Sequence, residues 1–350
     1  MTSDELASNQ TGASVPGPGR RLPPETVYYA PPANPGALEH VADLLRSGHE
    51  QDADAILRMI ETPQAVWFSR GDADDVERAV RGTVEQAAAA GATPILVAYN
   101  VPGRDCSQYS AGGAPTGAAY RNWIEAFARG LGEARAVVIV EPDGLALMPA
   151  DCDQPDTFDR LVLLRHAAHV LHAAPGATVY LDAGNSGWHP AAEMATRLIG
   201  AGVTDIAGFA LNVSNYHRTE DEIRYGTELA ASISHAALGD PRPDVHFVVD
   251  TSRNGRGPWI APDDHSDGDP QVWCNPPNRG LGERPTAETG HRLVDAFLWI
   301  KIPGESDGEG FRWTNGPIDP VRGVAAPAAG QWFADMAIEL ARNADPPLPR

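Results

Sequence analysis

Residues 136–143 read Ala-Val-Val-Ile-Val-Glu-Pro-Asp, and this stretch decides the fold. Five successive apolar residues rich in valine favour extended backbone. A run with no polar face belongs in a strand covered on both sides, which is the situation of strands in parallel sheets. Similar short runs recur at 65–68, 95–99, 178–181, 206–211, 245–249 and 296–300. Between them the apolar spacing predicts helices at about 52–61, 73–90, 117–131, 156–173, 190–201, 219–237 and 286–293, with a last one at 329–343. Strand and helix in strict alternation mean βαβ units with right-handed crossovers. The expected fold is a single α/β domain, a distorted (β/α) barrel of about seven mostly parallel strands. A doubly wound open sheet is the alternative arrangement.

The 350 residues include 27 Lys plus Arg against 47 Asp plus Glu, a formal net charge of −20. Such a chain repels nucleic acid and anionic lipid, so neither is an expected partner. A hydrophobic fraction of 42% is enough for a large core. No apolar run approaches the roughly 18 residues of a membrane span. The three cysteines, Cys106, Cys152 and Cys274, are too few for a disulfide scaffold and lack zinc-site spacing. Counting allows one pair and one left over without saying which. Residues 1–30 are rich in Pro, Gly and Ser and read as a disordered tail or linker remnant, leaving 31–350 as the folded domain. The tail lacks the basic start and apolar stretch of a signal peptide.

Polar residues gather where the apolar runs end. Run 95–99 leads into Asn100, Arg104 and Asp105; 136–140 into Glu141 and Asp143; 178–181 into Asp182; 206–211 into Asn212, Ser214 and Asn215; 245–249 into Asp250 and Arg253; 296–300 into Lys301, Glu305 and Asp307. In α/β barrels the C-terminal strand ends form one rim, and that rim holds the active site. One acidic residue after a strand is ordinary loop chemistry. Asp105, Asp143, Asp182, Asp250 and Asp307 on one rim would instead raise one another's pKa and leave some as proton donors near neutral pH. Two chemistries use such a set. Glycoside hydrolysis needs one protonated and one ionised carboxyl; a hard-metal site needs several oxygen ligands. Histidines do not gather at the rim: His166, His169 and His172 share one helix and read as partly exposed. No metal or cofactor is therefore expected.

The tryptophans separate the two readings. Trp188 follows the Asp182 run by several residues, Trp273 sits in the long Gly/Pro-rich loop 251–286, and Trp67 ends the first run. Loops are poor places for core tryptophan, whereas indole faces stack on the apolar faces of sugar rings. Trp123 and Trp332 lie at helical spacing and read as core, and Trp299 fits either role.

At this point the chain resembles glycoside hydrolase family 6, the inverting cellulases. The matching stretches are Val-Ala-Tyr-Asn-Val-Pro-Gly-Arg-Asp-Cys (97–106), Val-Ile-Val-Glu-Pro-Asp (138–143), Tyr-Leu-Asp-Ala-Gly (180–184), Asn-Val-Ser-Asn-Tyr (212–216), Asp-Thr-Ser-Arg-Asn-Gly (250–255), Trp-Cys-Asn-Pro-Pro (273–277) and Leu-Trp-Ile-Lys-Ile-Pro-Gly-Glu-Ser-Asp-Gly (298–308). They stand in family order. The resemblance implies that 31–350 is a catalytic domain with Asp143 as general acid and Asp105 as the aspartate that tunes it. It implies Asp307 as the proposed base, acting directly or through water, Asp182 as a supporting carboxylate, and Tyr99 pressing on a distorted sugar ring. It implies Trp67, Trp188 and Trp273 as stacking platforms. Asn212, Asn215, Lys301, Glu305, Arg104 and Arg253 are expected as polar substrate contacts.

The resemblance further implies a disulfide between Cys106 and Cys152. Cys274 is expected to be unpaired, because Glu309 and Gly310 stand where its usual partner would follow the Ser-Asp-Gly motif. Asn185 replaces the histidine many members carry, and Ala111 replaces a serine for which Ser110 is the candidate substitute. The expected activity is secreted, monomeric endo-β-1,4-glucanase action on cellulose or soluble β-1,4-glucan. The short segment between Asp105 and the helix at 117 favours an open cleft. A cellobiohydrolase of the same family and an inactive polysaccharide-binding protein are the alternatives.

Overall fold

The computed structural model describes residues 21–152, 157–236, 244–262, 271–310, 312–313 and 316–349. Seven strands form one sheet in sequential order: β1 (Val66–Phe68), β2 (Ile95–Ala98), β3 (Ala136–Val140), β4 (Ala177–Asp182), β5 (Gly208–Leu211), β6 (His246–Asp250) and β7 (Val294–Leu298). Every neighbouring pair is parallel. Sequential order excludes the doubly wound alternative, which needs a reversal of strand order. The sheet curls until its edges nearly meet: Ala65 N donates to Trp299 O across the seam at 2.9 Å, and Trp67 Nε1 to Ile300 O at 2.8 Å. The result is a distorted, incompletely closed barrel.

The continuous apolar runs are explained by two separate cores. Alternate residues such as Leu96, Val138, Val179, Phe209 and Phe247 face the helices. Their neighbours Val97, Ile139, Tyr180, Ala210 and Val248 fill the barrel. The outer layer comprises α3 (Ala73–Ala89), α4 (Gly117–Leu131), α5 (Thr157–Ala173), α6 (Ala191–Gly200) and α7 (Thr219–Ala236). Their starts follow ordinary capping: Asp72 and Asp75 form a reciprocal capping box on α3, and the Thr116 side chain accepts from Ala119 N on α4. Gly226 lets α7 approach the sheet, since a Cβ there would lie 2.5 Å from the Phe247 ring. A third apolar cluster joins α1 (Pro35–Arg46), α2 (Glu50–Glu61) and α8 (Ala334–Arg342) around the fully buried Trp299.

Several expectations are corrected. No helix forms at 286–293. Thr286 pairs with Phe297, and the Thr286 and Thr289 hydroxyls accept from Glu288 N and His291 N, so side chains satisfy the amides a helix would have used. The helix expected at 329–343 begins only at Ala334, because the segment before it is drawn into pairing with the rim: Ser306 N donates to Gln331 O and Phe333 N to Gly304 O. Helix α1 was not anticipated, although Asn34 caps it and Pro35 occupies its first position. His172 is buried rather than partly exposed. Trp332, expected in the core, is half-buried, with Nε1 on His40 Nδ1 at 3.2 Å.

Residues 1–20 of the expected tail, residue 156 of the expected α5, residue 237 of the expected α7 and residues 263–270 of the long loop lie outside the described residues. Within the expected tail, residues 21–30 pack on the barrel: Tyr28 pairs with Thr93, and Arg21 Nη1 donates to Ala207 O at 2.9 Å.

Candidate active site

The chain leaves β3 through two left-handed residues, Glu141 (φ 50°) and Asp143 (φ 65°). This backbone is costly for residues with a Cβ and persists where surroundings enforce it. It turns Asp143 inward, where its backbone N–H donates to Asp182 Oδ2 at 2.8 Å, an oxygen that also accepts from Gly184 N at 3.1 Å. Asp182 Oδ1 is buried without a hydrogen-bond partner among the described residues. Burial pushes the Asp143 carboxyl up to about 7, aided by the charges of Asp105 and Asp307. Burial, then the neighbouring Asp143, also raises Asp182 well above the usual carboxylate range.

Asp105 (φ 58°) and Cys106 (φ 45°) are likewise left-handed. Asp105 Oδ2 accepts from Ser110 N at 2.6 Å. Burial raises its pKa against that hydrogen bond and the Arg104 charge. Cys106 is disulfide-bonded to Cys152 across a separation of 46 residues, with Cα atoms 5.8 Å apart, so the loops after β2 and β3 are covalently joined. Replacing both cysteines with serine should cost about 2–4 kcal/mol and lower the Tm by roughly 5–10 °C. Calorimetry of the double variant beside the parent checks this, and an unchanged Tm would contradict it. Cys274 is buried and outside any disulfide.

Asp307 occupies the opposite electrostatic regime. Arg253 Nη1 lies 2.8 and 2.9 Å from its two oxygens, Tyr216 OH donates to Oδ2 at 3.0 Å, and Asn275 N donates to Oδ2 at 2.9 Å. Lys301 Nζ stands 3.8 Å from Oδ1. Burial alone would raise the pKa, but Arg253 and Lys301 outweigh it and hold Asp307 below the ordinary value. Two carboxyls on one rim are thus driven apart, one toward the acid form and one toward the anion.

Asp105, Asp143 and Asp307 face a cleft of about 1040 Å³ on the C-terminal rim. Among the expected site residues, Asp143, Asp105, Asp307, Tyr99, Trp67, Trp188, Trp273, Asn215, Lys301, Glu305 and Arg104 line it. Trp67 meets Tyr99 edge-on at 5.4 Å, and the Arg104 guanidinium lies 4.6 Å over the Tyr99 ring. Arg104 also donates to Ser110 O at 2.9 Å and Ser69 O at 3.0 Å, so it braces its own loop.

Asp182, Asn212, Arg253 and Asp250 lie beneath the cleft instead of lining it. Asn212 is fully buried, its amide donating to His217 O and Asp250 O. Asp250 accepts from Ser252 N, Ser214 N, Ile300 N and Lys301 N, knotting the loops after β5, β6 and β7. Arg253, fully buried on Asp307, has no surface to offer a sugar.

Four features were not anticipated. Residues 31–35 wall one end of the cleft, with Asn34 Nδ2 donating to Glu305 Oε1 at 3.0 Å. His217 lines it and follows directly on the Asn-Val-Ser-Asn-Tyr stretch, which was a usable signal. Tyr109 rests on Gly308 and its hydroxyl reaches Gln271 Oε1 at 3.1 Å. Below the floor, the buried side chains of Glu141 and Arg160 hold the loop that carries Asp105.

A curled parallel barrel with acid and anion on one rim is the class of site that sugar-cleaving barrels share. The chain belongs to the glycosyl hydrolases of family 6, whose family pattern matches residues 24–344. It is 39% identical over 323 residues to endoglucanase A of Cellulomonas fimi, covering 92% of this chain and 62% of that protein's length. It is 32% identical to a 1,4-β-D-glucan cellobiohydrolase of Podospora anserina, over 82% of this chain and 66% of the relative. The endoglucanase Cel6 of Mycobacterium tuberculosis, solved with methyl-cellobiosyl-4-deoxy-4-thio-β-D-cellobioside, superposes with a TM-score of 0.75 at 39% identity, covering 91% of this chain and 97% of that one.

Proposed function

We propose that this chain is a secreted, monomeric endo-β-1,4-glucanase that cleaves cellulose or soluble β-1,4-glucan with inversion. One observation carries the reading: at the floor of the cleft the half-buried Asp143 is pushed up to about 7 by desolvation and by the charges of Asp105 and Asp307, so it keeps its proton at mildly acidic pH. Asp143 gives that proton to the departing glycosidic oxygen as the C1–O bond breaks. A water oxygen bonds to C1 from the opposite face, and its proton passes to Asp105, whose pKa is raised by burial and whose Oδ1 is outside the Ser110 hydrogen bond. The Asp105–Asp143 pair then holds one proton before and after the step, so the buried charge does not change. Asp307 stays ionised and stabilises the positive charge developing at the sugar ring. With its oxygens already accepting hydrogen bonds, it is a weak proton acceptor. Trp67, Trp188 and Trp273 serve as stacking platforms, Tyr99 presses on the ring at the cleavage point, and Asn215, Lys301 and Glu305 contact sugar hydroxyls.

The thio-oligosaccharide bound by the Mycobacterium tuberculosis enzyme supports the substrate class. Endo action is supported by the higher identity to the endoglucanase than to the cellobiohydrolase. The Cys106–Cys152 bond fits an oxidising, extracellular setting. Among the described residues no helix is long and apolar enough to cross a membrane.

Proton NMR of fresh cellohexaose products tests the reading. Nascent α-anomer is expected, together with early viscosity loss on a soluble cellulose. Nascent β-anomer would overturn inversion, and reducing ends appearing without viscosity loss would overturn endo action.

A further inference from the structure

Arg160 stands in the first turn of α5, is 4% exposed and touches no cleft surface. Its guanidinium spends its donors on backbone carbonyls of two loops. Nη1 donates to Gly144 O at 3.1 Å and Leu147 O at 3.3 Å, in the turn that follows Asp143. Nη2 donates to Pro102 O at 2.9 Å and Gly103 O at 3.2 Å, immediately before Asp105. Glu141, also buried, completes the hold from the other side: its carboxylate accepts from Asn100 N at 2.9 and 3.0 Å and from Val101 N at 2.9 Å. Every backbone residue from 100 to 103 is therefore bound to one of two buried side chains, a carboxyl and a guanidinium. A buried guanidinium without partners is costly, and only arginine offers a planar fork that reaches four acceptors in two segments.

The disulfide joins the same two loops at their far ends, between Cys106 and Cys152. It fixes their spacing at the rim and leaves their orientation at the base to Glu141 and Arg160. Both catalytic loops pass through left-handed residues, Glu141 and Asp143 after β3 and Asp105 and Cys106 after β2, so neither keeps its course without such bracing.

We infer that Arg160 is a positioning residue for the reaction, a clamp that sets the separation of the Asp105 and Asp143 carboxyls by holding both loops from below. The inference rests on the reading of Asp143 and Asp105 as the proton-transferring pair. The two carboxyls feel each other's charge: Asp105 is the largest contributor, after burial, to the raised Asp143 pKa. If the loops part, that contribution weakens, the Asp143 pKa falls, and the alkaline limb of activity moves to lower pH. A merely structural arginine would change the Tm and leave the pH profile of the surviving folded protein where it was.

The experiment is kcat, KM and the pH profile of kcat/KM on a soluble β-1,4-glucan for the parent, Arg160→Met and Arg160→Lys, with folding checked by circular dichroism. Arg160→Met removes all donors, and Arg160→Lys keeps the charge and part of the hydrogen bonding. For Arg160→Met a 10- to 100-fold lower kcat is expected, with KM within about threefold and the alkaline limb displaced to lower pH. Arg160→Lys should be intermediate in both. If Arg160→Met does not fold, Arg160→Lys decides: a lower kcat with a displaced limb supports the clamp, and a parent-like profile overturns it. A loss confined to KM, or a lowered Tm with the limb unmoved, also overturns it. A parent without activity on any β-1,4-glucan would instead remove the functional reading on which the clamp depends.

Discussion

Replacing Asp143 by Asn should lower kcat on β-1,4-glucan by roughly 10²–10⁴-fold while leaving oligosaccharide binding nearly intact. The size follows from the leaving group. A sugar hydroxyl is a poor leaving group unless protonated as the bond breaks, and Asp143 is the carboxyl that burial keeps protonated in the cleft. An aryl cellobioside whose phenolate leaves without a proton should therefore lose much less, about tenfold or under. The pH dependence has the matching sign. In the parent, Asp143 must carry its proton, so activity falls as pH rises through about 7. Asp105 must be ionised, so activity also falls on the acid side, at a pKa raised above the ordinary aspartate value. In Asp143→Asn the alkaline limb should disappear on the activated substrate. Equal losses on both substrates would show that Asp143 acts by binding or structure and not as the acid.

How much of this was legible beforehand depended on range. Strands such as β3 and β5 announced themselves because burial on both faces leaves an apolar run with no polar gap. The rim aspartates were legible for the same reason: a polar residue ending such a run must lie at the barrel mouth. What could not be read was where each rim side chain points. Asn212 and Arg253 look like cleft residues by position, yet both turn downward, since the Asp307 carboxylate and the loop carbonyls needed donors. Arg160 was invisible because its four acceptors are 13 to 58 residues away in sequence and belong to the backbone, which every residue type shares. The segment 286–293 misled for a different reason: its spacing suited a helix, but threonine hydroxyls offered its amides a local alternative.

Removing Arg253 should be the most damaging single change to stability at the site. The side chain is fully exchanged for protein contacts: it is 0% exposed, paired with Asp307, and stacked 4.3 Å over the Tyr216 ring. Arg253→Met leaves a buried carboxylate with only Lys301, Tyr216 and Asn275 around it, and breaking a buried pair on one side costs about 3–5 kcal/mol. The cost should depend on pH. In the parent, Asp307 has a depressed pKa, so it contributes stability that is full above the unfolded value of about 3.9 and is lost as pH falls through the folded value. In the variant, burial dominates and the folded pKa rises above 3.9, so Asp307 opposes folding at neutral pH and stops doing so as acid protonates it in both states. The destabilisation should therefore be largest near pH 7 and shrink toward pH 4. Denaturant titrations at both values measure it. Adding Asp307→Asn should recover at least half of the loss at pH 7, since neither member of the pair is then charged. If Arg253→Met costs the same with and without Asp307, the two side chains are not coupled, and the anion in the cleft owes its ionisation to something other than this guanidinium.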